Sequence, residues 1–164
     1  MVDHVVAALE ASLIDRIVGV VTDQTPDTAG HLESRIEMMR TAGKSYCEDV
    51  GEAIDRLGLS RVVTVGADLP LIDGTIVNRI LDGPDEGRGS TAICVSLTRK
   101  RTIGTSIDSS LEPVEVDGRR AIPSGINVVD REAPETRYRL VDAPALAVNV
   151  NRPRDAWIAE VLAP

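Results

Sequence analysis

The run Arg61-Val62-Val63-Thr64-Val65-Gly66-Ala67-Asp68-Leu69-Pro70-Leu71-Ile72 is apolar until it stops at one carboxylate. A short Val-rich run bounded by Gly and Pro reads as a strand buried on both faces, as strands of parallel sheets are. Open α/β sheets bind ligands beyond the carboxyl ends of their strands, so Asp68 lies where an acidic group can hold a metal on a bound phosphate. The same Asp also reads as an ordinary loop residue that caps the next turn.

The core around such a strand has to be aliphatic, because aromatics make up 2% of the chain and Phe is absent, against 43% hydrophobic residues overall. Val, Ile, Leu and Ala suit a parallel sheet covered by helices. At 164 residues the chain fits a single domain over 1–164. A formal net charge of −8 argues against a nucleic-acid-binding surface, which needs clustered Lys and Arg. Lys44 and Lys100 are the only lysines, an acidic, Lys-poor balance of the kind that halophilic proteins from a high-salt cytoplasm often show.

Cys47 and Cys94 stand alone in sequence, and His4 and His31 are far apart, so neither a disulfide framework nor a zinc site is suggested. No apolar segment is long enough to span a bilayer, and Asp3 and His4 follow Met1 where a signal peptide carries basic residues. The expectation is a reduced, cytoplasmic protein.

Apolar spacing predicts a helix over Val2 to Ala11 and a strand over Ile14 to Val21. A helix from Ala29 to Thr41 carries Leu32, Ile36 and Met39 on one face and stops at Gly43. Ser45 and Glu48 form a capping box that opens a helix with Val50, Ile54 and Leu57 inward. After the strand at Arg61 to Val65, Asp73 caps a helix through Leu81, a loop runs from Asp82 to Gly89, and Thr91 to Leu97 is a buried strand. Pro113 to Val116 and Arg119 to Ile122 flank Asp117-Gly118, a pair that favours a tight hairpin turn. Strands at Ile126 to Val129, Tyr138 to Val141 and Ala145 to Val150 follow, and Pro153 opens a terminal helix. The pattern describes a three-layer α/β/α sandwich with a mostly parallel, Rossmann-like sheet and an added β-hairpin.

Besides Asp68, three segments can carry chemistry. In Pro123-Ser124-Gly125-Ile126-Asn127, Gly125 lets a backbone approach a ligand closely and Asn127 offers a donor and an acceptor; a hairpin return explains the same residues. In Val148-Asn149-Val150-Asn151-Arg152-Pro153, strand alternation points Asn149 and Asn151 the same way, although Asn151 also reads as a helix cap. Gly43-Lys44-Ser45-Tyr46 sets an ammonium beside a helix N-terminus, suited to an anion or a base edge, and also reads as a C-cap followed by an N-cap.

Taken in order, Gly43-Lys44-Ser45, Ala67-Asp68-Leu69-Pro70, Ser124-Gly125-Ile126-Asn127-Val128-Val129 and Asn149-Val150-Asn151 resemble the nucleotidyltransferases of the molybdopterin-guanylyltransferase-like superfamily. The likeness is strongest to the archaeal GTP:adenosylcobinamide-phosphate guanylyltransferases, through Gly43 to Asp49 and through Ile126 to Val129 followed by Val141-Asp142. The resemblance implies transfer of GMP from GTP to adenosylcobinamide phosphate in cobalamin biosynthesis, with release of pyrophosphate. Asp68 would hold a divalent metal, expected to be Mg2+, with Asn151 completing the site and Asn149 behind it. Gly43, Lys44 and Ser45 would lie along the guanine or ribose, and Gly125 and Asn127 where the second substrate meets the nucleotide. A homodimer is compatible with the resemblance.

The superfamily opens with a strand and a Gly-rich phosphate loop ahead of the helix matched here by Val2 to Ala11, and this sequence does not show them. The family's first strand is therefore expected to be missing, leaving a gap in the sheet beside Ile17 to Val21 and Val62 to Val65. The chain as written is expected to bind GTP weakly and transfer little, unless its start was set at an internal methionine. The alternatives are another nucleotidyltransferase, such as the one that builds the guanine dinucleotide form of molybdenum cofactor, and a noncatalytic, degenerate nucleotidyltransferase domain.

Overall fold

A computed structural model of the chain describes residues 1–83, 89–133 and 135–163. The elements in chain order are α1 (Val2–Glu10), β1 (Val18–Val21), α2 (Pro26–Leu32), β2 (Glu37–Arg40), α3 (Tyr46–Leu57), β3 (Arg61–Val65), α4 (Gly74–Leu81), β4 (Ser90–Ser96), α5 (Leu97–Ile103), β5 (Val114–Val116), β6 (Arg119–Asp130), β7 (Thr136–Leu140) and α6 (Pro153–Leu162). The five-stranded sheet has the order β3-β6-β4-β7, with β5 also paired to β6. β6 is antiparallel to β3, β4 and β5, and β4 is parallel to β7, so the other four strands of this sheet run one way and β6 alone runs back. The α/β class with its mostly parallel sheet and added hairpin is therefore the observed one.

Local chemistry explains most boundaries. Ser45 caps α3 by accepting from the Glu48 N–H at 3.2 Å and donating to its carboxylate at 2.9 Å, and Asp73 caps α4 through the Ile76 N–H at 2.8 Å. Asp117 and Gly118 take φ of 51° and 70°, the paired positive angles that a two-residue hairpin turn requires. Leu69, Ile93, Ile126 and Leu146 are at most 1% exposed and form the centre of an aliphatic core between sheet and helices.

Three expectations are corrected, and one helix was not expected. The helix expected over Ala29 to Thr41 ends at Leu32, and Glu37–Arg40 is instead a strand parallel to β1. Gly19 makes this possible: a Cβ there would lie 2.8 Å from Met38 Sδ and 3.2 Å from Ile36 Cδ1, so its bare backbone admits both side chains. The two strands expected at Arg119 to Ile122 and Ile126 to Val129 are one strand, β6, with an irregularity between them. Ile93 pairs with Ile126 but Cys94 with Pro123, which leaves Ser124 and Gly125 as extra residues in a bulge. The strand expected at Ala145 to Val150 is a 3₁₀ turn over Pro144–Ala147, because Leu146, Ala147 and Val148 all bury completely instead of alternating. A short helix, α5, follows β4, capped by Ser96 and ended by Gly104 at φ 87°. In the loop expected over Asp82 to Gly89, positions 84–88 lie outside the described residues.

Among the described residues β1 pairs only with β2, and β3 only with β6. One edge of each is open, and between them lies an apolar cavity of about 1000 Å³, lined by Val18, Val20 and Val21 on one side and Val62, Val63 and Val65 on the other. This is the gap expected beside Ile17 to Val21 and Val62 to Val65.

Candidate functional site

β3 ends at Val65, and the residues that leave it meet the bulge of β6. The Gly66 N–H donates to the Gly125 carbonyl at 2.9 Å, an arrangement made by the bulge, in which Gly125 takes φ 92°. Ser124 holds the bulge from the other side, its hydroxyl donating to the Ile93 carbonyl at 2.9 Å. Asp68 follows, half-buried. A Cβ on Gly66 would lie 2.6 Å from Asp68 Oδ1, so the carboxylate sits over a glycine because no other residue leaves it room.

The C-terminal segment closes on this loop. The Val150 N–H donates to the Asp68 carbonyl at 2.9 Å, and Asn149 Nδ2 donates to Asp68 Oδ2 at 3.3 Å. Behind Asn149 stands Lys100 of α5, only 4% exposed, whose ammonium donates to Asn149 Oδ1 and to the Ala147 carbonyl at 3.3 Å. Burial lowers the Lys100 pKa, while the carboxylates of Asp155 and Asp68 act in the opposite direction. Asp155, in α6 and 1% exposed, accepts from Ser106 N–H at 2.8 Å and its hydroxyl at 2.5 Å, and from the N–H groups of Asn151 at 3.1 Å and Arg152 at 2.9 Å. Burial pushes this carboxyl up, but the four donors prevail and hold it below its ordinary value.

The structure therefore brings Asp68, Gly125 and Asn149 together. Asn151 lies two residues further on with its side chain exposed, and its backbone N–H is spent on Asp155. Asn127 is placed elsewhere. Its Nδ2 donates to Tyr46 Oη at 3.1 Å and Thr64 Oγ1 at 3.3 Å, a knot completed by the 2.7 Å bond between those hydroxyls. The knot ties the segment Gly43-Lys44-Ser45 to β3: Gly43, at φ 71°, donates to Asp49 Oδ1 at 2.9 Å and lies against Thr22, Ser45 caps α3, and Lys44 is exposed with no partner among the described residues. Thr22, Tyr46, Gly66 and Ala67 all line the cavity between β1 and β3, which runs between the Gly43 segment and the approach to Asp68.

Sequence reasoning did not find Lys100, Asp155, Ser106 or Gly66. Arg99-Lys100-Arg101 carries no spacing signal that marks its middle residue, which only the fold turns inward. No group of three or more His, Cys, Asp or Glu residues that could hold a metal exists among the described residues. A single half-buried carboxylate still fits a magnesium ion, which keeps several waters and takes its remaining oxygens from substrate phosphates.

The chain matches no protein-family model, and no curated protein sequence matches it. Solved structures do. A CMP:2-keto-3-deoxy-manno-octonic acid synthetase complexed with CTP superposes with a TM-score of 0.69 at 15% identity, covering 98% of this chain and 88% of that one. The two chains share a fold. A hypothetical transferase from Thermus thermophilus gives a TM-score of 0.69 at 15% identity, over 94% of this chain and 85% of that one. A 4-diphosphocytidyl-2C-methyl-D-erythritol synthase gives 0.66 at 12% identity, over 98% and 88%. None of the helices in the described residues is long and apolar enough to cross a membrane.

Proposed function

We propose that the chain is a nucleotidyltransferase that moves GMP from GTP to adenosylcobinamide phosphate. A phosphate oxygen of the acceptor attacks the α-phosphorus of GTP, the bond from that phosphorus to the α,β-bridging oxygen breaks, and pyrophosphate leaves. The observation that carries the reading is Asp68, fixed beyond the end of β3 by Asn149, in a fold shared with a CTP-bound synthetase. Asp68 would hold Mg2+, with the exposed Asn151 side chain within the same segment to complete or orient the site. When bound, the ion supplies charge neutralisation for the triphosphate and the departing pyrophosphate.

The chain's own residues bind and align. Gly43, Lys44 and Ser45 lie along the guanine or ribose, where the free ammonium of Lys44 and the bare backbone of Gly43 give a polar edge. Gly125, beside Asp68, lines the face where the acceptor meets the nucleotide, and Asn127, bonded to Tyr46 and Thr64, backs the Gly43 segment. Little covalent chemistry falls to the protein, so alignment and charge placement account for the rate.

Incubation with Mg2+, adenosylcobinamide phosphate and each of GTP, ATP, CTP and UTP tests the reading through pyrophosphate release. Release with GTP in preference to the other three triphosphates, with formation of the GDP-linked product, is expected, slow in keeping with the weak GTP binding expected of this sequence. The CTP in the similar synthetase favours a second reading, cytidylyl transfer, which would give release with CTP instead. GTP binding without turnover of any acceptor, molybdenum cofactor included, would leave a noncatalytic nucleotide-binding domain.

A further inference from the structure

The Asn149 carboxamide stands between a group that only donates and a group that only accepts. A lysine ammonium has three N–H donors and no acceptor, and an ionised carboxylate has the reverse, so only one orientation of the amide satisfies both neighbours. Its oxygen must face Lys100 and its nitrogen Asp68, as observed. Lys100 is held in its turn. Its ammonium also donates to the Ala147 carbonyl, which accepts the Thr105 hydroxyl at 2.6 Å, and α5 is anchored at the following Ser106 by Asp155.

We propose that Lys100 is a positioning residue, whose buried ammonium orients the Asn149 amide so that it fixes the Asp68 carboxylate for a divalent cation on a bound nucleoside triphosphate. The cation rests on the proposed function; the hold of Lys100 on Asn149 does not. Without the ammonium the amide oxygen has no donor to anchor it, the Asn149 side chain is free to move off its present rotamer, and the carboxylate then loses its only side-chain donor among the described residues. Groups that orient a metal-binding residue in this way typically change metal affinity about 10- to 100-fold when removed.

The experiment has two arms. In protein labelled with 15N-lysine only two ammonium signals arise, from Lys44 and Lys100. Lys100 is expected to give a signal protected from water exchange and Lys44 an exchange-broadened one. In 15N-asparagine-labelled protein, Lys100→Met is expected to move the Asn149 side-chain amide resonances, whereas Arg101→Met, on the exposed side of the same helix, leaves them in place. In the second arm Mn2+ is titrated at saturating GTP. Lys100→Met and Asn149→Ala are each expected to weaken Mn2+ binding about 10- to 100-fold, and the double variant is expected to be no weaker than either single one, because both break the same relay.

A Lys100 ammonium that exchanges as fast as Lys44 overturns the proposal, as does an unmoved Asn149 amide in Lys100→Met or Mn2+ binding equal to wild type. If wild-type protein fails to bind Mn2+ with GTP, the nucleotidyltransferase reading falls and the resonance arm alone decides the role of Lys100. If Lys100→Met does not fold, the lysine signals of the wild-type protein decide it.

Discussion

Asn149 donates to Asp68 at 3.3 Å across 81 positions of sequence, and the next residue but one in the same segment, Asn151, is pinned by Asp155. The loop after β3 is thereby fixed to the entry of α6. A carboxylate on a loop, which alone would sample several rotamers, is restrained at both its backbone and its side chain.

Asp68→Ala is expected to lower nucleotidyl transfer about 100- to 1000-fold, the usual cost of deleting one preorganised electrostatic contact. Its backbone carbonyl still accepts from Val150, so the urea midpoint should stay close to wild type. Pyrophosphate release and urea unfolding on the same preparation check both parts. Undiminished turnover would remove Asp68 from the cation site.

Gly66→Ala separates stability from function. The added methyl meets Asp68 Oδ1 at 2.6 Å but no backbone atom closer than the Gly125 carbonyl at 3.6 Å, so the carboxylate swings away while the loop keeps its path. Stability should hold or rise by up to about 1 kcal/mol through the lower entropy of the unfolded chain. Mn2+ binding at saturating GTP should weaken about tenfold, as measured by titration. Equal affinity in both proteins would place the cation away from Asp68.

These two variants show what a sequence discloses. The Val-rich run ending at Asp68, the Ser45–Glu48 capping box and the Asp117-Gly118 turn are local signals, each complete within a few residues, and the structure contains all three, although β3 is a half-exposed edge strand antiparallel to β6 and not the strand buried on both faces that its composition suggested. The strand β2 was hidden because its pairing with β1 depends on Gly19, some twenty positions away, making room for Ile36 and Met38. Pro123 obscured the continuity of β6, since proline is expected to end a strand unless a bulge takes the ladder's gap. The site was half legible. Asp68 and Asn149 could be named, but the order Lys100, Asn149, Asp68 joins α5, the C-terminal segment and the end of β3, and no spacing rule connects them.

Asp155→Asn is expected to cost about 2 kcal/mol at neutral pH, because an amide presents two donors of its own to the N–H and O–H groups that the carboxylate accepts. The folded pKa of Asp155 lies below its ordinary value of 3.8. Its contribution is therefore full above about pH 4 and is lost as pH falls through the folded value. Urea unfolding of both proteins from pH 7 to pH 2.5 should show the difference narrowing at the acid end. A gap independent of pH would assign the effect to packing.

The two thiols differ in reactivity. Cys94 is fully buried in β4, and burial pushes its pKa up to about 11, whereas Cys47 is exposed near the start of α3. A disulfide reagent should titrate one thiol in the native protein and two in urea. Two fast thiols under native conditions would mean that β4 opens readily.

The cavity between β1 and β3 divides the molecule into regions of unequal endurance. The β1–β2 ribbon has two four-residue strands and, among the described residues, shares no hydrogen-bonded edge with the larger sheet. Two-stranded ribbons are marginal in isolation. Residues 18–40 thus form a cooperative unit that opens at a lower free energy than the β3-β6-β4-β7 sheet, and their amide protons should exchange first. The Gly43 segment follows directly on this ribbon yet is tied to β3 and β6 through Tyr46, Thr64 and Asn127, so opening of the ribbon is expected to stop short of the proposed nucleotide site.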